Sequence, residues 1–114
     1  MSKVKGAIFV ALLAVAQGVV GAPEVDGMRL WAGPDQIRFV IDLTQQPKYE
    51  IFLLKNPDRL VIDLFDAEIS SPGVKPPPTT ETVLKIRTGR PNRNTLRVVL
   101  DLDRPVTYSD FLLE

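Results

Sequence analysis

Three six-residue stretches, 38–43, 59–64 and 97–102, each alternate between two classes of side chain. One set of alternate positions is apolar throughout: Phe39, Ile41 and Leu43, then Leu60, Ile62 and Leu64, then Val98, Leu100 and Leu102. The other set reads arginine, valine, aspartate three times: Arg38, Val40 and Asp42, then Arg59, Val61 and Asp63, then Arg97, Val99 and Asp101. A period of two is the signature of a pleated strand with two unlike faces. Each stretch therefore predicts a β-strand. Paired in register, such strands would display rows of like residue types, and function is expected first on that charged face.

The intervening residues predict the rest of an all-β chain. Residues 28–31 form a brief strand candidate closed by Ala32-Gly33-Pro34-Asp35, a turn by its chemistry. The first arginine-aspartate strand runs over 37–43, and a second strand over 49–54 follows a polar break. The short turn Lys55-Asn56-Pro57-Asp58 predicts that 49–54 and 59–64 form an antiparallel hairpin. Residues 66–82 contain Pro72, Pro76, Pro77 and Pro78, which cannot donate to a ladder, and predict an exposed connection. Strands over 83–88, 96–102 and 107–113 complete the chain, with no helix beyond its first 22 residues.

An internal repeat organises these strands. Residues 37–54 lie over 96–113 without a gap at a constant offset of 59, placing Asp42 on Asp101, Tyr49 on Tyr108 and Phe52 on Phe111. Two similar halves predict a β-sandwich of two similar small sheets. The first half continues into the strand 59–64, so the second is expected to continue into an equivalent strand near residue 118, beyond Glu114. The domain is expected to be C-terminally incomplete by that strand. Its three apolar side chains would be worth roughly 1.5–3 kcal/mol each, and without it an open strand edge is expected.

The first residues differ in kind. Lys3 and Lys5 precede an apolar run over 6–16 and small residues leading to Val20-Gly21-Ala22, the pattern of a secretory signal peptide over 1–22, with 23–114 as the exported domain. Cleavage is expected after Ala22 or, earlier, after Ala16, and membrane contact only through an uncleaved leader. Without Lys3 and Lys5, the 14 basic residues become 12 against 14 acidic ones, a formal charge of −2. That balance argues against nucleic acid as a partner. The chain has no cysteine and no histidine, which removes thiol or histidine-based nucleophilic catalysis and histidine or thiolate zinc sites from it. Neither a catalytic residue nor a cofactor is expected.

Residues Met28-Arg29-Leu30-Trp31-Ala32-Gly33-Pro34-Asp35, the three arginine-aspartate strands, Asn56-Pro57-Asp58, Ile86-Arg87-Thr88-Gly89 and Phe111-Leu112-Leu113 together resemble the AMIN domain, the N-terminal non-catalytic module of exported bacterial N-acetylmuramoyl-L-alanine amidases. The resemblance covers nearly all of residues 23–114. It implies a β-sandwich in the periplasm that binds peptidoglycan and directs a parent enzyme, a zinc-dependent amidase, to the division site. Similar modules in type IV pilus secretins imply the alternative, a docking module for envelope or divisome proteins. The departures are the absent last strand and zinc amidase domain.

Candidate ligand-binding residues follow from donor and acceptor chemistry. Arg38, Arg59 and Arg97 offer forked donors to carboxylates, and Asp42, Asp63 and Asp101 accept from hydroxyls and amides. The competing structural reading is cross-strand arginine-aspartate pairing. Lys85, Arg87, Arg90, Arg93 and Arg97 form a basic run with no acid over 83–100, either a solvated hairpin or an anion-binding patch. Trp31, Tyr49 and Tyr108 could stack on sugar rings, or pack on a sheet face.

Overall fold

Period-two patterning is realised as nine strands in the computed structural model, which describes residues 7–15, 21–70 and 74–113. They are β1 (Ala7–Val15), β2 (Glu24–Ala32), β3 (Gln36–Leu43), β4 (Lys48–Leu54), β5 (Arg59–Phe65), β6 (Glu68–Ile69), β7 (Val83–Asn92), β8 (Thr95–Leu102) and β9 (Val106–Leu113). One sheet has the order β6-β2-β3-β1-β9 and the other β4-β5-β8-β7. No helix occurs among the described residues.

The apolar positions of both sheets meet in one core. Phe39, Ile41 and Leu43 of β3 lie in a single buried cluster with Leu60, Ile62 and Leu64 of β5 and with Val98, Leu100 and Leu102 of β8. The opposite positions of β3 and β8 turn outward, so the arginines and aspartates occupy the two outer faces of a sandwich.

The expected hairpin is present: β4 and β5 pair antiparallel from Lys48 opposite Phe65 to Leu54 opposite Arg59. Its turn holds Asn56 at φ 59, a left-handed conformation that asparagine adopts more readily than most residues.

Three expectations are corrected. Like residues do not line up in rows, because β5 and β8 run antiparallel and reverse the sequence of charges. Arg59 stands opposite Asp101, and Asp63 opposite Arg97. The connection 66–82 is not simply exposed. Ala67 and Thr82 are buried, Val74 packs on the core, and β6 adds to the β2 edge, carrying the chain from one sheet to the other. Pro72 lies outside the described residues.

The third correction concerns the open edge. The apolar run read as a leader forms β1, parallel to both β3 and β9, and buries Phe9, Ala11 and Leu13 in the core. An uninterrupted apolar strand suits an interior place in a sheet. Lys3, Lys5 and the residues at the earlier cleavage position, 16–20, lie outside the described residues.

The repeat resolves into a relation between the sheets. Strand β3 belongs to one sheet and its equivalent β8 to the other, and likewise for β4 and β9. The two tyrosines express this exchange. Tyr49 donates its hydroxyl to Asp110 Oδ2 at 2.7 Å, and Tyr108 donates to the Ile51 carbonyl at 2.8 Å. Residues 51 and 110 are themselves 59 apart, so the contacts are reciprocal. Together they tie the β4 edge of one sheet to the β9 edge of the other, which favours a packing role over sugar stacking.

The Tyr49 bond has a consequence at alkaline pH. Hydrogen bonding to Asp110, then burial and the carboxylate's charge, raise the Tyr49 pKa from 10.0 to about 12. The folded state thus holds this proton more tightly than the unfolded state. The resulting stabilisation is complete below pH 10 and is lost as pH rises toward 12. Tyr49→Phe should remove this component from the alkaline fall in stability, measured as the urea midpoint against pH. An unchanged profile would contradict the bond.

Candidate functional site

On the outer face of the β4-β5-β8-β7 sheet, arginine and aspartate satisfy one another. Arg97 donates through Nε to Asp63 Oδ1 at 2.7 Å and through a terminal nitrogen to Oδ2 at 2.8 Å. Asp63 is 5% exposed, and the Arg97 guanidinium also lies 5.6 Å from the centre of the Phe52 ring. Arg87 makes the same forked contact to Asp101, at 2.8 and 2.9 Å. The Arg87 hydrogen bonds hold the Asp101 carboxyl below the usual carboxylate range, against a smaller opposing effect of burial, with further help from Lys85 and Arg59.

Arg59 turns instead to its own turn, donating to the Pro57 carbonyl at 3.1 Å. Arg90 donates to the Ala67 carbonyl and to Glu68, both at 2.8 Å. Most of the basic run is therefore engaged within the fold. Its spacing does bring Arg87, Arg90 and Arg97 around one shallow depression of about 240 Å³, lined also by Thr88, Gly89 and Val99.

The other outer face is less satisfied. Arg29 of β2 makes a forked pair with Asp42 of β3, at 3.0 and 2.7 Å. This repeats the Arg87–Asp101 pair, because Arg29 stands opposite Val40 as Arg87 stands opposite Val99. Arg38 has no carboxylate partner among the described residues. Its guanidinium lies 5.4 Å from the centre of the Trp31 ring, a cation–π contact across the β2–β3 pair.

Trp31 is 54% exposed, so the sheet-packing reading of this residue gives way to an open aromatic surface. The ring folds back over Gly33, where an added Cβ would overlap it. Arg29, Leu30, Trp31, Arg38 and Val40 line a shallow groove of about 280 Å³. A third depression, of about 180 Å³ at the β2–β3 turn, holds Asp35 and Glu81, and its Arg104 is already paired with Asp103. Its acidic lining does not suit a carboxylated ligand.

The sequence-predicted arginines are thus separated. Arg38 lies on one outer face; Arg59 and Arg97 lie on the other. Asp42 and Asp101 each hold an arginine from the neighbouring strand, and Asp63 holds Arg97. Arg29 was not among the predicted site residues. The signal for it is the repeat only if its register shifts by one residue ahead of 37–54: Arg29 lies 58 residues before Arg87, against the offset of 59 downstream. No group of three or more acidic, histidine or cysteine side chains suited to a metal occurs among the described residues.

Comparison with known proteins adds a family. The family model described as AMIN domain matches residues 27–114. The chain is 32% identical over 115 aligned residues to N-acetylmuramoyl-L-alanine amidase AmiC of Neisseria meningitidis serogroup B, covering 95% of this chain and 27% of that protein. It is 28% identical to N-acetylmuramoyl-L-alanine amidase AmiC of Escherichia coli O6:H1, covering 96% of this chain and 27% of that protein. The chain thus spans about a quarter of the length of these curated relatives. No solved structure matches it.

Proposed function

The chain belongs to the AMIN domain family, and from this membership we propose that it is a peptidoglycan-binding module without chemistry of its own. In this reading it acts in the periplasm, within an exported N-acetylmuramoyl-L-alanine amidase, and directs cell-wall cleavage to the septum as daughter cells separate. The resemblance to two amidases named AmiC supports the parent activity.

The observation that carries the reading is the exposed Trp31 ring beside Arg38 in an open groove. A sugar ring offers an apolar face to the indole and hydroxyls to its surroundings. Lactyl and stem-peptide carboxylates suit a guanidinium whose edge is not already taken by aspartate. The groove is shallow, so each contact is weak. A repeating polymer compensates through many simultaneous contacts, which raise the apparent affinity without any deep pocket.

Co-sedimentation with purified sacculi tests this. Trp31→Ala should weaken retention about tenfold, equivalent to about 1.4 kcal/mol, and retention by the unaltered chain should fall as salt rises. Arg87→Gln, on the opposite face, should leave retention nearly unchanged. Full retention of Trp31→Ala with loss in Arg87→Gln would move the site to the other sheet. Absence of pelleting by the folded chain would favour a protein partner.

A further inference from the structure

We propose that Gly33 is the positioning residue for Trp31: its missing side chain is the seat into which the indole folds, and by taking the ring it keeps the groove beside Arg38 open. What the groove admits rests on the peptidoglycan-binding reading; how the ring is held does not.

Residues two apart on a strand share a face of the sheet. Arg29, Trp31 and Gly33 therefore follow one another on the outer face, with Arg29 opposite Val40 and Trp31 opposite Arg38. The Gly33 N–H donates to the Gln36 carbonyl at 2.8 Å, which carries the β2–β3 pairing one step past the end of β2. A side chain at residue 33 would project on the same side as the indole. The ring already fills that place: a Cβ on Gly33 would lie 2.7 Å from Trp31 Cζ3 and closer still to Cη2.

Backbone conformation supplies no other reason for glycine here. Among the described residues a positive φ falls on Gly21, Asn56 and Asp66, and not on Gly33. No backbone atom is among those a Cβ at residue 33 would meet first; all three belong to the indole.

The direction of the ring decides the shape of the groove. Staggered side-chain geometry lets an indole at residue 31 lean toward the turn or back toward Arg29. Leaning over Gly33, it leaves Arg29, Leu30, Arg38 and Val40 around an open groove, with the Arg38 guanidinium 5.4 Å from the ring centre. Leaning the other way, it would lie across Val40 and fill the groove with the protein's own side chain. A Cβ at residue 33 forces the ring off its seat at little cost to the fold, because the atoms it meets are the far end of a movable side chain. A ring already held in place also loses less freedom when a ligand arrives than one ordered on contact.

The test compares Gly33→Ala with Gly89→Ala in the full chain. Gly89 lies on the other outer face with nothing within 4 Å of the place of its Cβ. The chain has one tryptophan, so fluorescence anisotropy decay and long-wavelength near-ultraviolet circular dichroism report on Trp31 alone. Gly33→Ala should change both signals while the urea midpoint stays level or rises slightly, since alanine restricts the unfolded chain more than glycine does. Its retention on purified sacculi should fall about three- to tenfold. Gly89→Ala should leave the indole signals and retention as they are, and Gly33→Ala should cause no further loss of retention in a Trp31→Ala background. Unchanged indole signals in Gly33→Ala would overturn the proposal whatever the sacculi do. Full retention of Gly33→Ala where Trp31→Ala is weakened, or a further loss in the Trp31→Ala background, would overturn it as well. Full retention of Trp31→Ala would instead defeat the polymer-binding reading at this groove, and the indole signals would still decide the seat.

Discussion

Replacing Phe39 with alanine is expected to lower stability by about 3–5 kcal/mol, enough to leave much of the chain unfolded if its total stability is near the low end of the usual range of about 5–15 kcal/mol. Phe39 is fully buried in β3, within the cluster that joins both sheets. Its removal forfeits the transfer of an aromatic ring from water and leaves a cavity that rigid sheets collapse only partly. Phe111→Ala is the matched comparison, since its ring is more than half exposed, and should cost under about 1 kcal/mol. Urea unfolding of the two variants followed by circular dichroism measures both. Similar midpoints would mean that the core does not gather around β3.

Arg97→Met is expected to cost about 2–4 kcal/mol. Removing one partner of a buried ion pair strands the other, which typically costs about 3–5 kcal/mol. Here Asp63 is buried, whereas the Arg97 side chain is 34% exposed, so water can partly replace the guanidinium and the cost falls about 1 kcal/mol below that range. The double variant Arg97→Met with Asp63→Leu should recover to within about 1 kcal/mol of the unaltered chain, because the stranded charge is gone. A double variant no more stable than Arg97→Met would show that the cost lies in lost packing over Phe52. The outcome also bears on function: an arginine needed to satisfy a buried aspartate is a poor candidate for ligand exchange. This is why the polymer-binding proposal moves from the triad Arg38, Arg59 and Arg97 to the surface around Trp31 and Arg38.

Alternation by itself determined much of this protein. The core faces of 38–43, 59–64 and 97–102, the hairpin around Asn56-Pro57 and the doubling of the domain were all legible, because a pleated strand exposes alternate residues to opposite environments whatever it pairs with. The absence of histidine and cysteine likewise limited the chemistry before any fold was known. What the pattern cannot encode is which strand lies beside which, and in what direction. Antiparallel pairing of β5 with β8 turned expected rows of like charges into reciprocal arginine–aspartate pairs. The division of β3 and β8 between two sheets placed Arg38 far from its equivalents and beside Trp31. Only the tertiary structure set an apolar N-terminal strand between β3 and β9, where main-chain pairing and the burial of Phe9, Ala11 and Leu13 accept it.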